Sequence, residues 1–238
     1  MSSLESDKTN FRFVTICVCF CSLLILSNMS LKVFHFPKLP QFAFTTGILT
    51  YPLTFLMTDT VSEIWGERHA KFMIFLGFAM NLLMCLFVQT IIHLPPNEFW
   101  FNPNNLFGYT SHHDFQNAFV SVYSINGKIF IASMMAYLIS QWVDIKLFCS
   151  LKKKTKNRHL WLRNNASTLT SQLLDTLIMN YIILHFGLKL EIKTCLSIAA
   201  AEYAYKALIA LLDTPFIYLI VSYLKPRRPP SYVQTHFQ

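Results

Sequence analysis

The run FMIFLGFAMNLLMCLFVQTIIH, residues 72–93, contains 22 residues and no Asp, Glu, Lys or Arg. A helix of about 20 apolar residues is long enough to cross the hydrocarbon core of a bilayer. Comparable runs occur before and after it, so this stretch belongs to a series. The pattern predicts a helical membrane protein.

The composition agrees with this prediction. Of 238 residues, 53% are hydrophobic and 13% are charged, with a mean hydropathy of +0.39. Soluble globular domains contain about 25% charged residues, so the usual surface charge is largely missing. This excludes a disordered chain, a coiled coil and an ordinary cytosolic enzyme.

Six stretches predict membrane-spanning helices. They are Phe13–Phe34, Phe42–Glu63, Phe72–His93, Lys128–Phe148, Ala166–Phe186 and Cys195–Leu224. The predicted fold class is therefore all-α, a polytopic bundle of six transmembrane helices in one domain, residues 13–224, with short tails at 1–12 and 225–238. The loop Leu94–Asn126 contains no Lys or Arg and fits an outside or re-entrant loop, within which Phe115–Tyr123 fits a short interfacial helix.

The distribution of basic residues predicts that both termini lie in the cytoplasm. Fourteen lysines and arginines lie in segments that share the N-terminal side, and four lie in the opposite loops. The largest basic group lies between the fourth and fifth predicted helices and comprises Lys152, Lys153, Lys154, Lys156, Arg158 and Arg163. An alternative is a patch that touches tRNA. Membrane topology already explains these charges, so no nucleic acid partner is expected.

Sequence signals for an enzyme or a metal site are absent. The six cysteines contain no C-x-x-C pair, and there is no H-E-x-x-H, G-x-S-x-G or P-loop motif. Cys17 and Cys21 are four residues apart, which predicts packing on one helix face. We therefore expect no enzymatic activity, no bound metal and no cofactor.

Charged residues within the predicted membrane helices are the most informative feature. They are Asp59, Glu63, Asp144, Asp175, Glu202, Lys206 and Asp213. A charged side chain at the centre of a bilayer costs about 2.5–3.5 kcal/mol on the insertion scale. We therefore expect these residues to face one another or a wet cavity, and not lipid.

Their spacing indicates a shared interior. Asp59 and Glu63 lie on one helix face, as do Glu202 and Lys206, because each pair is four residues apart. A short motif, S-Q-x-x-D, occurs at 140–144 and again at 171–175. Repeats around a site at the midplane are typical of transporters, although Ser and Gln also join membrane helices generally.

The polar residues suggest what such a cavity would bind. Carboxylates accept paired N–H donors, primary amides both donate and accept, and aromatic rings stack on flat ligands. Tyr137, Tyr203 and Tyr205 lie near these polar positions. The set predicts a small, planar, donor-rich solute, and the spacing alone does not distinguish this from a proton relay.

Three motifs resemble those of the queuosine precursor transporter family, a vitamin-uptake-like family of integral membrane proteins. The longest is RHLWLRNNASTLTSQLLDT at 158–176. The others are YPLTF at 51–55 with EIWG at 63–66, and YKAL at 205–208 with ALLDTP at 210–215. The AYLISQ segment at 136–141 also fits, and the resemblance covers residues 40–220 approximately.

The resemblance implies a six-helix importer of queuine or 7-deazaguanine precursors in the bacterial inner membrane, without a dedicated ATPase. The substrate is then a small molecule, the surroundings are lipid, and homo-oligomerisation is left open. The matching residues form the implied substrate-binding set: Asp59, Glu63, Gln141, Asp144, Asn164, Asn165, Gln172, Asp175, Lys206 and Asp213.

Individual roles within this set are hypotheses. We expect Asp175 and Asp144 to hold the amino-imino edge of the base, while Gln141 and Gln172 read the other edge. Lys206 is expected to neutralise a nearby acid, Glu202 or Asp213.

The remaining roles and two alternative functions stay open. If transport uses a coupling proton, Asp59 or Glu63 is expected to carry it. One alternative is a substrate-binding subunit of a multi-component uptake system. The other is a membrane scaffold that docks tRNA or a modifying enzyme through the basic loop.

Overall fold

A computed structural model describes residues 2–29, 33–36, 39–45, 47–100, 108–109, 111–123, 127–182, 185, 189 and 191–224. Within these residues the chain forms eight α-helices, one short 3-10 turn (Glu98–Trp100) and one antiparallel hairpin. The helices are α1 (Ser2–Met29), α2 (Gly47–Ile64), α3 (Glu67–Ile92), α4 (His112–Tyr123), α5 (Gly127–Lys154), α6 (Leu160–Asn180), α7 (Ile192–Leu212) and α8 (Thr214–Leu224). The strands are β1 (Val33–Phe36) and β2 (Leu39–Thr45).

The hairpin corrects two predicted helix boundaries. The first predicted helix was to end at Phe34 and the second to begin at Phe42, but the helices end at Met29 and begin at Gly47. The sequence between them contains Pro37 and Pro40. Proline removes a helical hydrogen bond and clashes with the preceding turn, so the chain leaves the helix on either side of it.

The last predicted helix is divided in two. It breaks at Asp213, which ends α7, and Pro215 occupies the first turn of α8. Proline is tolerated there because the first N–H groups of a helix have no internal partner. Pro52, by contrast, lies inside α2.

The predicted tails have different outcomes. The segment predicted as an N-terminal tail is helical from Ser2 onward as part of α1. The predicted C-terminal tail, 225–238, lies outside the described residues. In the outer loop, the predicted short helix is present as α4, although parts of that loop also lie outside the described residues.

Three helices in the described part of the chain are long and apolar enough to cross a membrane. They are Asn10–Met29 within α1, Glu67–Ile92 and Ile192–Leu212. The sequence predicts six spans. Helices α2, α5 and α6, which carry most of the buried polar residues, fall outside this apolar set.

The distribution of side chains is inverted relative to a soluble protein. Large apolar residues are exposed along α1, α3, α7 and α8, including Phe75 and Leu219. The buried side chains of α6 are Leu160, Arg163, Asn164, Asn165, Ser167, Thr168, Ser171, Gln172, Asp175, Thr176 and Asn180. An apolar exterior around a polar interior is the architecture of a helical membrane protein.

An apolar core supports one side of this interior. Phe20 of α1, Met73 of α3, Phe148 of α5 and Ile217 of α8 are all buried in one cluster. Helices α1 and α3 approach closely at Gly77, where a Cβ atom would lie 2.7 Å from side-chain atoms of Phe20 and Leu24. Helix α6 packs between α5 and α7, which places its polar face at the centre.

Candidate functional site

The two S-Q-x-x-D motifs face each other on the antiparallel helices α5 and α6. The Ser171 hydroxyl donates to Asp144 Oδ1 at 2.9 Å. The Ser140 hydroxyl does not make the reciprocal bond and donates instead to the backbone carbonyl of Tyr137 at 3.0 Å. The two motifs are therefore joined through Ser171 and Asp144, on helices that run in opposite directions.

Asp59 of α2 joins this pair of helices. Thr168 of α6 donates its hydroxyl to Asp59 Oδ2 at 3.2 Å. Thr168 and Ser171 are three residues apart on one face of α6, so the carboxyl groups of Asp59 and Asp144 that they bind lie side by side. Both residues are fully buried, with exposed fractions of 1% and 0%.

Several buried polar atoms in this region have no hydrogen-bond partner. Both amide atoms of Gln141 are unpartnered, and so are Gln172 Oε1 and Asn164 Oδ1. Buried polar groups normally have hydrogen-bond partners, and each one without a partner costs about 1–3 kcal/mol. An interior that contains several unpartnered polar atoms is suited to binding a polar ligand or water.

A buried ion-pair cluster ties α2, α5 and α6 together at one end of this interior. Arg163 Nη2 lies 2.6 Å from Glu63 Oε2, and Lys152 Nζ lies 3.1 Å from the same oxygen. Arg163 also donates to the backbone carbonyl of Arg158 at 3.1 Å. We call Glu63, Arg163 and Lys152 the first ion-pair cluster.

A second ion-pair cluster joins α6 to α7. Lys206 Nζ lies 3.3 Å from Asp175 Oδ2 and 3.0 Å from Glu202 Oε1. Asn180 donates to the other Glu202 oxygen at 2.8 Å. Lys206 also lies 5.2 Å from the centre of the Tyr51 ring, a cation–π distance. Of the two acids predicted as partners of Lys206, Glu202 and Asp213, Lys206 forms an ion pair with Glu202, and Asp175 is an additional partner.

A small cavity lies between α2, α6 and α7. Its volume is about 20 Å³, and its lining comprises Tyr51, Pro52, Phe55, Thr168, Gln172, Lys206, Ile209, Ala210 and Asp213. Tyr51 and Phe55 form a stacked aromatic pair with ring centroids 6.2 Å apart. The space is large enough for about one water molecule and too small for a purine-sized base.

The structure brings most of the predicted residues to this interior. Gln172, Lys206 and Asp213 line the cavity itself. Asp59, Asp144 and Gln141 are fully buried, while Asp175 lies in the second ion-pair cluster.

The other three predicted residues, Glu63, Asn164 and Asn165, do not line the cavity. They lie near the first turns of α6. Glu63 lies in the first ion-pair cluster. Asn164 is buried, and Asn165 exchanges hydrogen bonds with Thr214 at the start of α8, at 2.8 and 3.2 Å. Asn165 thus connects helices and does not line the cavity.

Arg163 is an interior residue that the sequence pattern does not identify. The pattern predicts a fifth helix beginning at Ala166, which leaves Arg163 among the charges of the basic loop. The helix begins at Leu160, and Arg163 is only 1% exposed. The polar stripe Asn164, Thr168, Ser171 and Asp175, with steps of three or four residues, is a helical signal that extends the helix toward the basic loop.

No cluster of three or more His, Cys, Asp or Glu residues is placed to hold a metal ion in the described part of the chain. Cys17 and Cys21 are both buried within α1, which confirms their predicted packing role. The candidate site is therefore defined by carboxylates, amides, one lysine and aromatic rings.

An apolar exterior around a polar interior, with a small cavity between helices, is the arrangement expected of a membrane transporter. The family described as "Putative vitamin uptake transporter" matches residues 45–220. This chain belongs to that family. The matched segment includes the whole candidate site described above.

Two curated relatives extend this result. The chain is 26% identical over 175 residues to a Bacillus subtilis (strain 168) protein named "Probable queuosine precursor transporter", covering 73% of this chain and 70% of the relative. It is 27% identical over 190 residues to the "Queuosine precursor transporter" of Escherichia coli (strain K12), covering 79% and 77%. The predicted resemblance is confirmed. No solved structure matches this chain significantly.

Proposed function

We propose that this chain imports a queuosine precursor, queuine or another 7-deazaguanine base, across the bacterial inner membrane. The observation that carries the proposal is the cavity between α2, α6 and α7, where an aromatic pair meets an amide, a carboxylate and a lysine. The names of both bacterial relatives support the substrate class.

The cavity lining suits the chemistry of a deazaguanine base. The amino-imino edge of such a base presents paired N–H donors, which a carboxylate accepts, and Asp213 is the carboxylate in the lining. Gln172 and Lys206 supply donors for the carbonyl oxygen of the base. The rings of Tyr51 and Phe55 offer a surface for stacking.

This assignment differs from the predicted one in the acids that read the base. Asp175 is engaged by Lys206, and Asp144 by Ser171. We therefore propose that Asp213 binds the amino-imino edge, while Asp175 holds Lys206 in place. Gln141 stays in the proposed site as an unpartnered amide behind the lining.

The cavity lies between the two ion-pair clusters, and we propose that it is a contracted form of the substrate site. Arg163 and Asp175 are twelve residues apart on α6, about 18 Å at 1.5 Å per residue, and Thr168 and Gln172 lie between them. A base enters only if α6 and α7 separate. The bond between Lys206 and Asp175 crosses that boundary and breaks when the site opens.

We propose that α1, α2, α3, α5, α6 and the α7–α8 pair cross the membrane, with both termini in the cytoplasm. The shortest of the polar helices, α2, has 18 residues and spans about 27 Å, close to the thickness of a bilayer core. The excess of basic residues in the segments on one side supports this orientation.

The test measures queuosine in the tRNA of a bacterium that lacks its own transporter and cannot synthesise queuosine, but inserts supplied bases. The host expresses this chain and receives limiting queuine or 7-deazaguanine precursor bases in separate cultures. Restored queuosine with one base is the expected result. No restoration with any base, despite confirmed membrane insertion, would contradict import by this chain alone and favour the multi-component alternative.

A matched pair of variants tests whether queuosine restoration depends on the cavity. Gln172→Leu removes an amide from the lining, whereas Gln89→Leu makes the same change on α3, away from it. We expect the first to abolish queuosine restoration and the second to preserve it, at equal membrane abundance. Equal restoration by both variants would remove Gln172 from the substrate site.

A further inference from the structure

The buried acids of this interior differ in how their charge is balanced. Glu63 has Arg163 and Lys152 within 4 Å, and Asp175 has Lys206. Among the described residues, no lysine, arginine or histidine forms a salt bridge with Asp59 or Asp144. An unpaired buried carboxylate is costly, so this pair needs another source of neutralisation.

The hydrogen bonds of the pair indicate what that source is. The Thr168 hydroxyl donates a hydrogen bond to Asp59 Oδ2, and the Ser171 hydroxyl donates one to Asp144 Oδ1. The remaining oxygens, Asp59 Oδ1 and Asp144 Oδ2, are buried without a partner. Thr168 and Ser171 are three residues apart on one face of α6, so the two carboxyl groups that they bind lie side by side. A hydrogen bond between two carboxyl groups exists only when one of them carries a proton.

Other ionisable groups near the pair are already committed. Arg163 of α6 acts on Asp59 electrostatically, but Glu63 binds its guanidinium at 2.6 Å. In this region, the pair of Asp59 and Asp144 is therefore the place where one proton can bind and leave.

Thr168 connects this pair to the cavity. Its side chain lines the cavity wall, and its hydroxyl donates to Asp59. A base bound against that wall therefore lies one side chain away from the carboxyl pair. Displacing the Thr168 hydroxyl toward the base would remove a donor from Asp59 and change its affinity for a proton.

We propose that Asp59 and Asp144 together bind one transported proton and that base import is coupled to its inward movement. This inference rests on the proposed function. The proton binds the pair from the outside, bridges the two carboxyl groups while the base is bound and leaves to the cytoplasm with the base. Glu63, the other predicted carrier, is instead engaged in ion pairs with Arg163 and Lys152.

The test uses the full chain, purified and reconstituted in liposomes, with radiolabelled queuine and radiolabelled 7-deazaguanine as probes. One pH unit is worth about 1.4 kcal/mol per proton, enough for about tenfold accumulation. We expect an acidic exterior to drive accumulation, and we expect base addition without a gradient to acidify the lumen.

The outcomes separate the two proposals. Uptake that ignores the pH gradient and moves no protons would overturn proton coupling and leave import intact. No uptake of either probe by the unmodified chain would overturn both. Accumulation driven by the gradient, with lumen acidification, supports both.

Variants assign the proton to the pair. In Asp59→Asn and Asp144→Asn, we expect gradient-driven accumulation to fall at least about tenfold, the value of one pH unit, while exchange of internal for external base persists. Asp114→Asn, on exposed α4, is the matched control and should behave as the unmodified chain. Retained accumulation in both pair variants, or loss of exchange together with accumulation, would overturn the assignment.

Discussion

Helices α3 and α6 are both long enough to cross a bilayer, but they bury opposite kinds of side chain. Buried positions on α3 are mainly apolar, such as Met73 and Ile74, and its exposed positions are also apolar, such as Phe75 and Phe87. On α6 the exposed positions include Leu173, whereas the buried positions are almost all polar. The difference shows that α3 belongs to the apolar shell and α6 to the polar interior.

The same kind of substitution should therefore have unequal effects on the two helices. On α6 a changed polar residue leaves its partners unsatisfied inside the protein. On α3 an exposed charge has water or headgroups as an alternative partner.

Arg163→Met should have the largest effect. It removes the closer of the two cations that pair with Glu63, and breaking a buried ion pair costs about 3–5 kcal/mol. Unfolding of the purified protein in detergent would measure the loss in free energy. The double variant Arg163→Met with Glu63→Leu should recover part of the stability, and a double variant no more stable than the single one would contradict this account of the pair.

Lys206→Met should reduce base import at least about tenfold, because each 1.4 kcal/mol lost corresponds to a factor of ten. It removes the cation from Asp175 and Glu202 as well as a donor from the cavity. Uptake by cells with matched membrane abundance is the measurement. Lys206→Arg should retain part of the activity, and full activity in Lys206→Met would remove the second ion-pair cluster from the transport cycle.

Gly77→Ala tests the contact between α1 and the shell helix α3. The added Cβ would lie 2.7 Å from Phe20 and Leu24. Overpacking a tight contact costs about 1–3 kcal/mol, partly offset by about 1 kcal/mol of helix propensity. Thermal unfolding in detergent should show a net destabilisation, and unchanged or higher stability would mean that α1 shifts freely.

Lys71→Met should have the smallest effect. Lys71 pairs with Glu67 at 2.6 Å, but both side chains are more than a third exposed. Exposed pairs four residues apart on a helix contribute about 0.3–0.5 kcal/mol, and solvent screens them further. The same unfolding measurement should detect almost no change, and a loss similar to that of Arg163→Met would invalidate the distinction between shell and interior.

The same comparison explains what could be predicted from the sequence. The helices of the apolar shell could be predicted because long apolar runs, such as residues 72–93, are recognised by their length and hydropathy. The polar cluster was also expected, since charges such as Asp59 and Lys206 are too costly to face lipid. The repeated S-Q-x-x-D motif was recognised from the sequence, but the bond from Ser171 to Asp144 that joins its two copies was not predicted.

What the sequence did not reveal depends on contacts between distant segments. Arg163 was interpreted as a topological charge because its partner Glu63 lies a hundred residues earlier. The start of α6 was placed too late because a polar first turn has low hydropathy, although it packs inside the protein. The cavity lining combines Tyr51 of α2 with Asp213 at the end of α7, a juxtaposition that only tertiary packing creates.

The most direct test of the central claim is uptake of radiolabelled queuine or 7-deazaguanine by liposomes that contain this purified chain alone. Two neighbours on α6 provide the comparison: Gln172, which lines the cavity, and Leu173, which is 41% exposed. The account predicts saturable uptake of at least one base, lost in Gln172→Leu and preserved in Leu173→Val. Absence of uptake by correctly folded protein, or equal uptake by both variants, would contradict it.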